Sequence, residues 1–493
     1  MNPGAVNPGA VNPGAVNPGA VNPGAVNPGA VNPGAVSAGA AGSGAAGLAE
    51  RAWRLTLVGT LVSAVGGGLT LPFLIVYLHD IRHLSLPLAG VIVAASGVAG
   101  IAVGTVGGSL GDRVGVGRVM LGGLVVGAVG TAGLAFVSGP GPAAVAVALV
   151  GAGDAIAWPA LNALVASQLP PQRRARGYAL RFGVLNAGLG IGGLVSGSVV
   201  SLHRPGTFEA IYLADAATTL LFAVIVTFGL RRSAGYGVLA APDPPTPTGA
   251  TADGRPGLSP EPPAPGAASP TGAAGAGRDG YRAVLDDRRF MAWIACSAVF
   301  VLFGYAQLDG AWAAFATGVV GASPQVVGVG FAVNTSVIVV SQLGVVHLTR
   351  RWRRSRMLVG VGACWALAWA VTGLADWSPL AGLPADVALA VSLGIFAVGE
   401  TLLTPVSGAL PNDLAPEHLR HRYNALASAV WAGGGLVGPP VAGVLLGSSV
   451  PVSWVVVITA GCGLAGVGGL RLARRLPADI DRPPFEPAAR ANE

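Results

Sequence analysis

From Trp53 to Leu470 the chain is a succession of apolar runs, each near the length of about 20 residues that a helix needs to cross a bilayer. The candidate spans are Trp53–Leu78, Leu86–Leu110, Val119–Val137, Ala143–Ala166, Tyr178–Leu202 and Thr207–Leu230. Six more follow: Phe290–Ala316, Pro324–Leu348, Met357–Ala375, Ala385–Leu410, Tyr423–Leu446 and Pro451–Leu470. Short proline-containing gaps part Ser138 from Pro142 and Gly447 from Pro451. The fold class implied is an all-α membrane protein, twelve transmembrane helices in two pseudo-symmetric bundles of six. Charged residues make up 10% of the chain and mean hydropathy is +0.64, where soluble domains carry about 25% charge. A soluble enzyme, a disordered protein and a nucleic-acid-binding domain are excluded together.

The arginines set the topology. All 29 basic residues are Arg, and basic loops stay in the cytoplasm. With a cytoplasmic N-terminus, 27 fall inside, counting Arg181, and only Arg82 and Arg204 fall outside. A missed helix would reverse every later loop and destroy that split. Both termini are therefore expected in the cytoplasm and the protein in the cell membrane. The net charge of +7 is a topology signal, so no nucleic-acid partner is expected.

The apolar series divides at a break. The expected organisation is a 48–232 bundle, a disordered cytoplasmic linker over 233–286, a 287–475 bundle and a cytoplasmic tail over 476–493. The stretch Ala241–Pro270 is too rich in Pro, Gly, Ser and Thr to bury a core. Ahead of the first span, residues 2–36 are seven copies of Asn-Pro-Gly-Ala-Val. Pro and Gly in every copy oppose regular structure, and residues 1–47 read as a disordered tail. Cys296, Cys364 and Cys462 are far apart in apolar runs, so no metal, cofactor or disulfide is expected.

The two bundles repeat each other. At a constant offset of 246, Gly153-Asp154 matches Gly399-Glu400, and Pro159 matches Pro405. Arg174 and Arg176 match Arg420 and Arg422, and Gly188, Gly192 and Gly197 match Gly434, Gly438 and Gly443. Parallel repeats with a site at their interface are transporter architecture.

Between spans 2 and 3 runs Gly107-Gly108-Ser109-Leu110-Gly111-Asp112-Arg113-Val114-Gly115-Val116-Gly117-Arg118. This stretch resembles the signature loop of the major facilitator superfamily, with Gly108, Asp112, Arg113, Gly115 and Arg118 fitting and Gly117 in place of an Arg. Leu71-Pro72-Phe73, Asn334 with Gln342, and Gly399-Glu400 with Pro405 are similar to the same family, and within it to drug:proton antiporters. The resemblance covers about Trp53–Leu470. It implies that spans 1, 4, 7 and 10 line a central cavity. It also implies that Asp112 meets the start of span 11 as a conformational latch, where a helix dipole stabilises a carboxylate. Val147 stands near where efflux members often carry an Arg. The run Gly433–Pro440 resembles an antiporter motif but lies in span 11, and reads as close helix packing.

Acids inside apolar spans are costly and functional by default. Asp154, Asp309 and Glu400 fall on the implied cavity spans, while Asp215 falls on span 6 and reads as structural. Helical spacing puts Asp154 with Trp158 and Asn162, Asp309 with Tyr305 and Trp312, and Glu400 with Thr404 and Ser407. Glu400 and Asp154 are equivalent in the repeat, and a proton and a cation would compete for such a carboxylate. A cavity with three acids and no deep Arg favours cations, with Trp158, Tyr305 and Trp312 available as aromatic faces. The expected function is proton-coupled efflux of lipophilic, cationic or neutral small molecules by a monomer in the bilayer, and not an enzyme activity. The alternatives are a sugar or metabolite transporter and a non-transporting membrane sensor or scaffold.

Overall fold

The computed structural model describes residues 33–232, 281–308, 310–349 and 352–482. By their contacts, residues 1–47 form one unit and 48–493 another. Inside hydrocarbon a backbone can pair its own polar groups only as a helix or a closed barrel. Among the described residues, twelve helices are long and apolar enough to cross a membrane.

In the first half these are α1 (Pro33–Thr70), α2 (Leu86–Val114), α3 (Val116–Ala135), α4 (Pro140–Gln168), α5 (Pro171–Val199) and α6 (Pro205–Arg232). Short helical turns carry α1 on through Tyr77–Ile81. The second half holds α7 (Arg288–Phe300), α8 (Pro324–Thr349), α9 (Arg354–Leu374), α10 (Leu383–Leu414), α11 (Arg420–Leu446) and α12 (Ser453–Ala473). Proline opens α4, α5, α6 and α8, where its missing N–H would be unpaired anyway. Pro159 and Pro405 lie at matching points inside α4 and α10.

Three boundaries differ from expectation. The helix α1 begins at Pro33, within the segment read as disordered, where alanines, the best helix formers, alternate with glycines. The linker ends earlier than expected: residues 281–286 are helical and Val284 is fully buried. Asp287 then caps α7, accepting the Arg289 and Phe290 N–H groups at 2.9 and 3.2 Å and the Tyr423 hydroxyl at 2.8 Å. The C-terminal tail also begins with docked structure. A short helix, Ala478–Asp481, brings the buried Asp481 carboxylate onto the start of α9, where it accepts the Ser355 N–H at 2.9 Å and hydroxyl at 3.0 Å. Beside it Arg354 pairs with Asp413 of α10 at 2.5 Å. Asp481→Ala should strand two buried donors and cost about 1–3 kcal/mol. Thermal melts in detergent should show that loss, with Asp481→Asn milder.

Packing follows the repeat. The helix α4 lies on α2 and α3, and α3 on α6; α10 lies on α8 and α9, and α9 on α12. The halves meet where α2 packs on α11 and α5 on α8. The matched glycines do matched work. Gly188 and Gly192 let α5 approach α1, and Gly434 and Gly438 let α11 approach the continuation of α7. Gly197 abuts Pro324 and Gly328 across the halves, as Gly443 abuts Leu86 and Pro87. Both cross-half contacts lie at the end of the bundle away from the arginine-rich connections.

Candidate functional site

The continuation of α7 is not regular. One wide turn, Val301–Tyr305, is followed by Ala306–Leu308, and Gly310 at φ 85° breaks the helix before a short helix, Ala311–Gly318. A φ of this sign suits glycine, which has no Cβ. Asp309 lies outside the described residues. The break corrects the expected face of span 7. Tyr305 reaches α10, but Trp312 is fully buried, edge-on to Phe331 of α8 at 5.8 Å. The expected spacing of seven residues runs through the break, so Trp312 rotates into the core and lines no cavity.

In the second half the Tyr305 hydroxyl donates to Glu400 Oε1. Glu400 is buried on α10, and Thr404, one turn on, is exposed and donates to the Glu400 backbone carbonyl at 3.0 Å. The Tyr305 ring meets Trp431 of α11 edge-on at 4.9 Å and Trp365 of α9 at 5.5 Å. Trp431 is 40% exposed and continues this aromatic wall outward. Its place on α11, outside the implied cavity helices, hid it from sequence reasoning. The wall is held rigidly: Trp365 stacks flat on Phe396 at 4.6 Å and donates its indole N–H to the Phe396 carbonyl at 3.0 Å.

In the first half, Asp154, Trp158 and Asn162 are all exposed along one stripe of α4, as helical spacing predicts. Their partners differ from expectation. Asp154 lines a cavity of about 320 Å³ built from α1, α2, α3, α4 and α6, and Asp215 lines the same cavity. Asp215 is buried and accepts the Thr70 hydroxyl at 2.7 Å, the structural bond expected of it. Further along the stripe, the Arg181 guanidinium lies over the Trp158 ring at 5.3 Å and donates to Asn162 Oδ1 at 2.7 Å.

Arg181 corrects two expectations. It is a buried residue well inside α5, not a loop charge. The wall carrying Trp158 therefore does hold a fixed positive charge. The span Tyr178–Leu202 already contained Arg181, so the signal was present; its closeness to a basic loop masked it.

At the junction of α2 and α3, Gly115 has φ 96° and its carbonyl accepts the Arg118 N–H at 3.1 Å. Arg118 is exposed there. The side chains of Gly108, Asp112 and Arg113 lie outside the described residues.

A family model described as Major Facilitator Superfamily matches residues 56–381 and 308–492. The chain belongs to the major facilitator superfamily. The MFS-type transporter YttB of Bacillus subtilis (strain 168) is 25% identical over 401 residues, covering 80% of this chain and 88% of that protein. The multidrug resistance protein MdtG of Enterobacter lignolyticus (strain SCF1) is 29% identical over 189 residues, 38% of this chain and 44% of that protein. A solved D-xylose-proton symporter is similar at a TM-score of 0.63 and 16% identity, covering 87% of this chain and 98% of that one. A model described as pentapeptide repeats matches residues 1–40. As a superfamily member the chain is a multi-pass membrane transporter of a small-molecule substrate, not an enzyme. The matched packing of α2 on α11 and α5 on α8 is the pseudo-symmetric interface of its two halves.

Proposed function

We propose that this transporter exports lipophilic, cationic or neutral small molecules in exchange for protons, as a monomer in the plasma membrane with both termini in the cytoplasm. The observation that carries the reading is the buried Glu400 carboxylate, hydrogen-bonded by Tyr305 and flanked by the half-exposed Trp431. A carboxylate among aromatic faces suits an organic cation, whose charge the ring quadrupoles also attract. A proton competes for the same oxygens, and that competition is sufficient for antiport. The partial likeness to multidrug resistance proteins supports the substrate class. Uptake of a lipophilic cation into inverted vesicles, driven by an imposed pH gradient with the lumen acidic, tests it.

One observation favours the second reading, a metabolite transporter. Arg181 with Asn162 would suit an anionic or hydrogen-bonding ligand on the α4 and α5 wall. Gradient-driven movement of sugars or organic acids, with none of lipophilic cations, would decide for it.

On this reading the arginine-rich end faces the cytoplasm. Closing it brings the α2–α3 loop towards α11, where Asp112 acts as the latch. Asp112→Asn removes the charge and keeps the size, and a charge at a helix end is worth about 0.3–2 kcal/mol. Turnover should fall several-fold while equilibrium binding of the same probe stays within about twofold. Lost binding with normal cycling of the remaining protein would contradict the latch.

A further inference from the structure

A cleft of about 390 Å³ opens at the arginine-rich end of the first half, lined by Glu50, Trp53, Leu169, Arg173, Arg176 and Leu180. It lies between α1, the end of α4 and the start of α5. The membrane spans there begin at Ala49 and Gln172 and end at Gln168, so the cleft sits where hydrocarbon gives way to headgroups. Gly177 shapes its floor. A Cβ at that position would collide with the Leu169 side chain and lie 3.6 Å from Trp53 Cη2, so the bare backbone lets α5 settle against both.

Charge and apolarity are divided across the cleft. Arg173 and Arg176 are exposed and three residues apart on α5, a spacing that puts both on one face. Neither side chain makes a hydrogen bond or ion pair among the described residues, whereas Arg174 between them folds back onto the Leu169 carbonyl at 3.2 Å. Glu50 is the one acid of the wall, and Arg54 pairs with it at 2.9 Å. Two positive charges are left over, and the positive end of the α5 dipole adds to them. One turn deeper in the span than Arg176 stands Leu180, 51% exposed, with the buried Trp53 in the same wall. Unpaired cations at the rim and an apolar lip beneath them match the profile of a phospholipid. A free phosphate would leave the lip unused. A zwitterionic headgroup would bring its own cation against the arginines. Basic pockets between membrane helices at this level bind anionic headgroups.

We propose that this cleft binds one anionic phospholipid of the phosphatidylglycerol type. Its phosphodiester oxygens accept from the Arg173 and Arg176 guanidiniums, and the first methylenes of a chain lie along Leu180. On the orientation proposed above it is a lipid of the cytoplasmic leaflet. Held there, it fastens the first turns of α5 to α1 and α4, which are already tied by the hydrogen bond between Thr56 and Gln168 at 3.1 Å.

Native mass spectrometry of the purified full-length chain, titrated with phosphatidylglycerol or with phosphatidylcholine of the same chains, tests the site. Wild type should retain one phosphatidylglycerol at least about tenfold more tightly than phosphatidylcholine. An arginine at an anionic membrane surface is worth about fivefold in affinity, so Arg173→Gln and Arg176→Gln should each cost about that, and the double variant about twentyfold to thirtyfold. Both side chains are exposed and unbonded, so the fold survives their loss. Arg474→Gln with Arg475→Gln removes equal charge from the same end outside the cleft and should change retention by less than about twofold, since exposed charges beyond a Debye length are screened. An equal loss in that control would show diffuse attraction to a charged end and overturn the site, as would equal retention of the two lipids by wild type. Soluble glycerol 1-phosphate separates the sources of phosphate. In excess it should leave the bound lipid in place; displacement would overturn the lipid and assign the cleft to a free phosphate. Neither result depends on what Glu400 carries.

Discussion

Glu400→Gln should reduce pH-driven export to the level of empty vesicles. The glutamine keeps the shape of the side chain and can still meet the Tyr305 hydroxyl, so the aromatic wall of Trp365 and Phe396 stays in place. What is lost is the exchange of a proton for a cation on one carboxylate. A hydrogen bond or contact to a charged group is worth about 1.5–3 kcal/mol, so cation binding should weaken by about tenfold to a hundredfold. A neutral compound of the same shape should lose far less. Scintillation-proximity binding with matched cationic and neutral probes reads the difference. Trp431→Ala serves as the companion: it leaves the acid alone and should weaken both probes, the cation more.

Gly443→Leu should force the halves apart where α2 meets α11, at the end away from the arginine-rich connections. A side chain there meets the Leu86 carbonyl and Pro87 of the opposite half, and backbone cannot step aside as a flexible side chain would. Overpacking costs about 1–3 kcal/mol, and it falls only on the state in which these ends touch. The balance between states should shift by about tenfold to a hundredfold. Spin labels at Ser201→Cys and Ser448→Cys, one in each half at that end, should report longer distances than in the unsubstituted background, and transport should stop. Gly197→Leu, at the equivalent contact with Pro324 and Gly328, should behave alike. Unchanged distances with normal transport in both variants would show that this contact does not gate the molecule.

The twelve helices and their repeat were legible because length, apolarity and the 246-residue offset are properties of the chain itself. The matched glycines carried more than periodicity: Gly188 and Gly434 do the same job against α1 and the α7 continuation. The Glu400 environment was half legible. Tyr305 was grouped with Asp309, which lies outside the described residues; its reach to Glu400 was not foreseen, and nothing in a single glycine announces the break at Gly310, φ 85°. The same break put Trp312 on a face it does not occupy. Asp215 was judged by its helix number, and that number does not say which way a side chain turns. Its inward direction makes it line the same cavity as Asp154. Arg181 was judged by its loop, although ten residues of α5 separate it from the helix start.

The central claim is proton-coupled movement of a lipophilic cation through a site at Glu400. The most direct measurement is simultaneous: internal pH and tetraphenylphosphonium uptake followed together in proteoliposomes of the purified full-length chain. Adding the probe to vesicles with an outward proton gradient should accelerate proton efflux in step with probe entry, and Glu400→Gln should show neither. Probe movement without any proton movement, or coupled movement that persists in Glu400→Gln, would contradict the account.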